Sequence, residues 1–90
     1  MLGKDKLFEI AKNFEIVKEK GLTVRDFNYS HLISAKKQEM LTYFERKDGM
    51  YVEIRVHRNG DEIHVKEIKD YNDGKGAYEI KTLQRGWVLD

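Results

Sequence analysis

Two histidines and a glutamate come closest, in type and spacing, to a metal-binding or reactive site. Residues 51–68 contain two alternating apolar and polar runs joined by an Asn-Gly pair at positions 59–60, a strong signal for a β-hairpin. If that pair forms a two-residue type I′ turn, His57 lies opposite Glu62, and His64 lies diagonally to His57. Imidazole and carboxylate groups at such distances are suitable zinc ligands.

A solvated sheet face is the ordinary alternative for these three side chains. Arg55 lies opposite His64 in the same register, and its guanidinium would repel a bound cation. The sequence therefore predicts no metal ion and no other cofactor at His57, Glu62 and His64. A zinc or nickel titration that shifted the imidazole resonances of both histidines would contradict this prediction.

The polar segment 70–79 resembles a calcium-binding loop in composition but not in spacing. An EF-hand loop starting at Asp70 requires glycine at its sixth position, whereas Gly74 is fifth and Lys75 is sixth. We therefore predict a surface turn in this segment.

Nucleophilic catalysis also lacks the necessary residues. The chain has no cysteine, and Ser30 and Ser34 are not part of a nucleophile-elbow sequence. His31 is the histidine nearest to them in sequence, and Ser30 suits a cap or a turn. We therefore expect a protein that is not an enzyme.

The predicted hairpin has an apolar face and a charged face. Opposite charges meet in two cross-strand pairs, Glu53 with Lys66 and Arg58 with Asp61. The apolar face contains Val52, Ile54, Val56, Ile63 and Val65, and the charged face contains Glu53, Arg55, His57, Glu62, His64 and Lys66. The apolar face needs a cover, which the rest of the chain must supply.

The first part of the chain supplies a candidate cover. One helix is predicted from about Asp5 to Lys20, because its apolar residues follow a helical period. The stripe consists of Leu7, Ile10, Ala11, Phe14 and Val17. Residues 22–29 suggest a loose strand that leads into a turn at residues 28–31.

The segment between residues 30 and 49 permits two interpretations. Strand-forming residues from Met40 to Arg46, followed by a turn at residues 47–49, favour a strand that enters the central hairpin. Alternatively, Ser30 caps a long helix that ends near Gly49. A last strand is predicted over residues 77–83, and the apolar tail around Trp87 is expected to dock back onto the domain.

These elements together predict a single α+β domain over residues 1–90. In this fold, the N-terminal amphipathic helix packs on one face of an antiparallel β-meander of about four strands. Ninety residues form a thin core, which favours one small domain over two.

Composition narrows the function classes. The net charge is +1, so no strong overall field draws the chain to nucleic acid or to a membrane. The absence of cysteine suits a reducing compartment. We detect neither a signal peptide before the first helix nor an apolar run long enough to span a bilayer. The expected location is the cytoplasm.

We therefore expect a non-enzymatic protein–protein interaction module, in the manner of a small inhibitor or regulator of a larger machine. Binding would use the charged sheet face or an edge strand, and an edge strand would also permit a homodimer. The expected partner-binding residues are Glu53, Arg55, His57, Arg58, Glu62, His64 and Lys66.

The alternative function is a winged-helix-like nucleic-acid-binding domain. It requires residues 30–47 to form a recognition helix bearing Lys36 and Lys37, with the 51–68 hairpin as the wing. The balanced charge argues against strong phosphate binding. Under this alternative, a variant with Lys36→Glu and Lys37→Glu would lose a salt-dependent gel shift.

Overall fold

The computed structural model describes residues 2–31, 37–71 and 78–88. In this part of the chain, short helical elements precede a sheet of five strands. The helices are α1 (Lys4–Ala11) and α2 (Glu15–Lys20), followed by a 3-10 helix over Val24–Asp26. The strands are β1 (Asn28–His31), β2 (Gln38–Lys47), β3 (Met50–Asn59), β4 (Glu62–Asp70) and β5 (Tyr78–Trp87).

The sheet is an antiparallel meander in the order β1-β2-β3-β4-β5. This confirms an α+β protein in which helices precede a meander. The prediction of about four strands was one too low, because β1 lies where the sequence suggested a turn. Residues 28–31 have little strand-forming character of their own, and they are extended because they pair with β2, Tyr29 opposite Leu41.

The two faces of the sheet differ in what covers them. The helix-covered face contains the predicted apolar residues of the hairpin, all at most 5% exposed, namely Val52, Ile54, Val56, Ile63 and Val65. They form one core with residues from the helices and their connections, namely Leu7, Ala11, Phe14, Val17 and Phe27, and with Leu41 and Val88. The opposite side is called the open face below.

The predicted single helix is two helices with a break between them. Asn13 and Phe14 donate their backbone N–H groups to the carbonyls of Ile10 and Ala11, a tighter turn that ends α1. Phe14 then adopts an extended conformation, with φ −73° and ψ 139°. The break positions the Phe14 ring against Gly86, where an added Cβ would lie 3.3 Å from Cε1 of the ring.

The central hairpin is confirmed, but its register differs from the prediction by two residues. The turn consists of Gly60 and Asp61, and Asn59 pairs with Glu62. Asn59 belongs to the strand because it also pairs with Gln38 of β2, and the Gly60 N–H donates to the Lys37 carbonyl. A shift of two residues keeps every side chain on its predicted face, because the strand period is two.

The cross-strand partners therefore change. His57 lies opposite His64, not Glu62, and Arg55 lies opposite Lys66. The predicted pairs Glu53 with Lys66 and Arg58 with Asp61 do not form in this register; Ile68 lies opposite Glu53, and Ile63 lies opposite Arg58.

Replacing Gly60 with valine is expected to lower the free energy of unfolding by about 1–3 kcal/mol, the usual cost of holding a β-branched residue at an unfavourable φ. Gly60 has φ 67°, and nothing lies within 4 Å of an added Cβ, so the cost is conformational and not steric. Chemical denaturation measures it. Asn59→Val, at an exposed strand position, is the matched control and should change stability by less than about 1 kcal/mol. Equal losses in both variants would contradict the assigned turn.

Strand β2 decides between the two interpretations of residues 30–49. Residues 38–47 form a strand that turns at Asp48 and Gly49 into β3. The alternative of a long helix from Ser30 is wrong, because Ser30 lies in β1 and the described residues from 37 onward are a turn and a strand. Residues 32–36, including Ser34 and Lys36, lie outside the described residues, as do residues 72–77 of the calcium-like segment.

The end of the chain also differs in part from the prediction. Strand β5 extends to Trp87, whose side chain is 65% exposed, whereas Val88 is buried and donates its N–H to the Asp61 carbonyl. The apolar tail therefore docks through Val88.

Candidate functional site: the open face of the sheet

The open face is the side of the sheet that α1 and α2 leave uncovered. The described contacts of residues 2–20 with the sheet reach Glu39, Glu45, Gln84 and Gly86, which all lie on the helix-covered face. Strand pairing arranges the open-face side chains of β2, β3, β4 and β5 in rows across the sheet. The central rows are Met40, His57, His64 and Arg85, then Thr42, Arg55, Lys66 and Thr82, then Phe44, Glu53, Ile68 and Ile80.

Six of the seven predicted partner-binding residues lie on this face, namely Glu53, Arg55, His57, Glu62, His64 and Lys66. They are brought together by adjacent positions on β3 and β4. Most are only partly exposed, because neighbouring side chains in the rows cover them. Glu53 is the most covered, at 8% exposed.

The seventh predicted residue, Arg58, lies on the helix-covered face and is 2% exposed. Alternation along β3 explains this position, because Arg58 follows Val52, Ile54 and Val56 at intervals of two. Its guanidinium Nη1 donates to the Glu39 carboxylate at 2.8 Å, and its Nε donates to the Gly60 carbonyl at 2.8 Å. The structure therefore places Arg58 among the buried contacts of the domain and not on the open face with the other six residues.

Glu39 is the centre of a buried polar cluster formed by Glu39, Arg58, Tyr29 and the backbone of Leu2 and Gly3. The Leu2 N–H lies 3.0 Å from both carboxylate oxygens, and the Gly3 N–H donates to Oε1 at 2.8 Å. The Tyr29 hydroxyl also donates to Oε1, at 2.7 Å. This Glu39 cluster ties the start of the described chain to β1, β2 and β3.

The pKa values in this cluster follow from its hydrogen bonds. Burial alone would raise the pKa of Glu39, but the donors from Leu2, Tyr29, Gly3 and Arg58 outweigh burial and lower that pKa to about 2. Burial and the hydrogen bond to Glu39 raise the pKa of Tyr29 to about 12. The carboxylate is therefore ionised and the phenol is neutral at neutral pH.

The two histidines of the open face lie side by side on β3 and β4. His57 and His64 are direct cross-strand neighbours, and His64 Nε2 lies 3.1 Å from the Glu62 carboxylate. In the described residues, no group of three histidine, aspartate or glutamate side chains is arranged to hold a metal ion. Burial lowers the pKa of His57, and the nearby Lys66, His64 and Arg55 lower it further.

The middle of the open face carries three cations, Arg55, Lys66 and Arg85, against two carboxylates, Glu53 and Glu62, and is called the positive region below. Arg55 donates to the Glu53 carboxylate at 2.8 Å, while its buried Nε–H has no acceptor among the described residues. Lys66 lies directly opposite Arg55, and Arg85 lies opposite His64. Arg85 Nη1 lies 3.9 Å from the Glu62 carboxylate, so Arg55 and Arg85 each have a carboxylate partner. Lys66 has no ion pair among the described residues, and an acidic group placed over this face would be attracted to Lys66 first.

An apolar row borders this positive region and was not predicted from the sequence. Phe44 and Ile80 are each 55% exposed, and Ile68 lies between their strands beside Glu53. Two shallow depressions flank Ile68, with volumes of about 360 and 280 Å³. Tyr51 is 40% exposed, and the Arg46 guanidinium lies 4.5 Å from its ring centroid. Alternation of Met40, Thr42 and Phe44 along β2 was the available signal for this row.

The residues of the nucleic-acid alternative are not presented by a helix in the described structure. Lys37 lies in the turn before β2, with its ammonium 3.9 Å from the Asp61 carboxylate. Lys36 lies outside the described residues. The structural basis of that alternative, a recognition helix through residues 37–47, is therefore absent.

Comparison with known proteins adds no further assignment. In the described part of the chain, no helix is long and apolar enough to cross a membrane. No protein-family model, curated protein or solved structure matches this chain.

Proposed function

We propose that this chain is a non-enzymatic protein-interaction module that binds a partner protein on the open face of its sheet. The observation that carries the proposal is the combination, on one uncovered face, of a solvent-exposed apolar row and an adjacent cluster of cations. Phe44 and Ile80 expose more than half of their surface. Exposed apolar groups next to fixed charges are typical of interaction surfaces.

The charges of the open face specify the chemistry of the partner. Arg55, Lys66 and Arg85 surround two histidines, of which His57 has a lowered pKa and so remains neutral at neutral pH. An acidic surface on the partner would meet these cations, and neighbouring apolar side chains would cover Phe44 and Ile68. Inhibition or regulation of a larger assembly is one use of such a module, since a protein bound through a single face can block a site on its partner or recruit another protein to it.

A charge reversal at Lys66 tests this proposal. The protein is immobilised and used to capture binding proteins from its native host, and Lys66→Glu is compared with wild type. We expect capture of a specific acidic protein to fall about tenfold or more, because like charges opposed across an interface cost several kcal/mol. Affinity of the purified partner is then measured by calorimetry.

Lys18→Glu is the matched control, because it makes the same charge change at an exposed position on α2. It should leave capture and affinity unchanged. Equal losses in both variants would indicate non-specific electrostatic attraction and would contradict a site on the open face. Unchanged affinity in Lys66→Glu would contradict it as well.

Nucleic acid is tested in parallel. A net charge of +1 provides few phosphate contacts, so we expect no gel shift with duplex or single-stranded DNA, even at about 50 mM salt where such binding is strongest. A salt-dependent shift removed by Lys66→Glu would assign the open face to nucleic acid and would overturn the protein-binding proposal.

A further inference from the structure

Strand β5 is a long edge of the sheet. In the described part of the chain it pairs with β4 alone, along residues 78–87. The chain contains no proline, so no residue of this edge lacks a backbone N–H. Unpaired N–H and C=O groups on such an edge form a template for another strand.

The side chains around Ile80 are complementary to themselves. Ile80 lies on the open face opposite Ile68, whereas Glu79 and Lys81 lie on the helix-covered face opposite Lys69 and Glu67. If two β5 strands run antiparallel with Ile80 opposite Ile80, Glu79 of each strand meets Lys81 of the other. Registers centred on Glu79 or on Lys81 would place like charges opposite each other.

A bulge divides strand β5 into two parts. Lys66 pairs with Thr82 and Val65 pairs with Gln84, which leaves Leu83 without a partner on β4. Bulges bend a strand and interrupt its ladder. The edge is therefore regular over residues 78–82 and again over residues 84–87, and the longer of the two parts has Ile80 at its centre.

We propose that two copies of this chain associate through their β5 strands, antiparallel, with Ile80 on the two-fold axis. The dimer covers Ile80, which is 55% exposed in the single chain. It also joins the two apolar rows end to end, so that Phe44, Ile68 and Ile80 of one copy continue into the same residues of the second. This inference concerns the edge and does not depend on the function proposed for the open face.

Light scattering after size-exclusion chromatography tests the association over a range of protein concentrations. We expect the mass to approach twice 10.7 kDa at high concentration and to fall to 10.7 kDa on dilution. Ile80→Lys should remain a monomer. Phe44→Lys is the matched control, since Phe44 has the same exposure but lies on β2, and it should dimerise as wild type does. A monomeric wild type would overturn the proposal. A monomeric Phe44→Lys would instead indicate stacking of open faces, which also overturns it.

A mixing experiment tests the register. Lys81→Glu alone and Glu79→Lys alone oppose like charges twice across the axis, and each should dimerise about tenfold more weakly or worse than wild type. In an equimolar mixture the two variants present opposite charges again and should form a heterodimer. Circular dichroism confirms that each variant is folded. Failure of the mixture to associate, with both variants folded, would overturn this register.

The two proposals have separate outcomes. Glu79→Lys weakens the dimer from the helix-covered face, so it leaves the apolar row and the positive region of the open face unchanged. If that variant still captures the acidic partner, the open face binds as a monomer. If wild type forms the dimer but captures no partner, the edge pairing stands and the function proposed for the open face fails.

Discussion

Replacing Glu39 with glutamine is expected to lower the free energy of unfolding by about 3–5 kcal/mol, the typical cost of leaving a buried charge without its partner. The Arg58 side chain is 3% exposed, and Glu39 Oε2 is the acceptor for its Nη1. A glutamine amide has one acceptor oxygen, so it cannot accept from Leu2, Gly3, Tyr29 and Arg58 together. Urea denaturation followed by circular dichroism measures the loss.

Glu45→Gln is the matched control for this variant. Glu45 lies on the same strand and face and pairs with Lys20 at 2.5 Å, but about a quarter of each side chain is exposed. Solvent-accessible ion pairs contribute about 1 kcal/mol or less, so the control should lose little stability. If the two variants lost the same free energy of unfolding, the buried Glu39 cluster would contribute no more to stability than the partly exposed pair of Glu45 and Lys20.

A double variant, Glu39→Met with Arg58→Met, separates charge burial from shape. Replacing both members of a buried ion pair by apolar residues is often close to neutral. We therefore expect the double variant to be more stable than Glu39→Gln. A double variant that is less stable would mean that the backbone N–H groups of Leu2 and Gly3, which also lose their acceptor, dominate the cluster.

Acidification is expected to remove a contribution of about 3 kcal/mol that Glu39 makes to stability, since each pKa unit corresponds to about 1.4 kcal/mol. The pKa of Glu39 is lowered from 4.5 to about 2 in the folded chain. A lowered folded-state pKa stabilises the protein above the unfolded-state pKa. This stabilisation is therefore complete above about pH 5 and is lost progressively as the pH falls from about 4.5 to about 2.

Stability measured at several pH values in that window checks the prediction. The Glu39→Met and Arg58→Met double variant lacks the titrating carboxylate, and its stability should fall less steeply than that of wild type over the same range. NMR titration of the Glu39 carboxyl carbon gives the folded-state pKa directly. A midpoint near 4.5, or parallel pH profiles of the two proteins, would contradict the assignment.

Local alternation was enough to predict the hairpin, its two faces and the strand β2. It did not reveal which polar residues are buried. Glu39 and Arg58 meet only because β2 pairs with the β3–β4 hairpin, and the hairpin sequence alone does not show this pairing. Glu39 lies on the same face of β2 as the buried Leu41. Arg58 lies on the same face of β3 as the buried Val56. The available signal for the Glu39 cluster was therefore a pair of opposite charges, each at a position where the alternation of its strand predicts an apolar residue.

Other features had no local signal. The break between α1 and α2 leaves the apolar stripe uninterrupted, so the helical period could not reveal it. The hairpin register depended on whether Asn59 belonged to the turn, and its pairing with Gln38 of β2 decided that it belongs to the strand. Strand β1 is extended only because it pairs with β2.

The meander also sets how far apart in sequence the partners in each contact lie. Neighbouring strands of the sheet are neighbours in sequence, so the β2–β3 and β3–β4 pairings close short turns at 48–49 and 60–61. In contrast, the Glu15 N–H reaches Gln84 across 69 residues. Closing a longer loop costs more chain entropy, by about 0.6 kcal/mol for each doubling of length. The two central hairpins therefore have the lowest entropic barrier to formation, whereas docking of α2 against β5 closes nearly the whole chain.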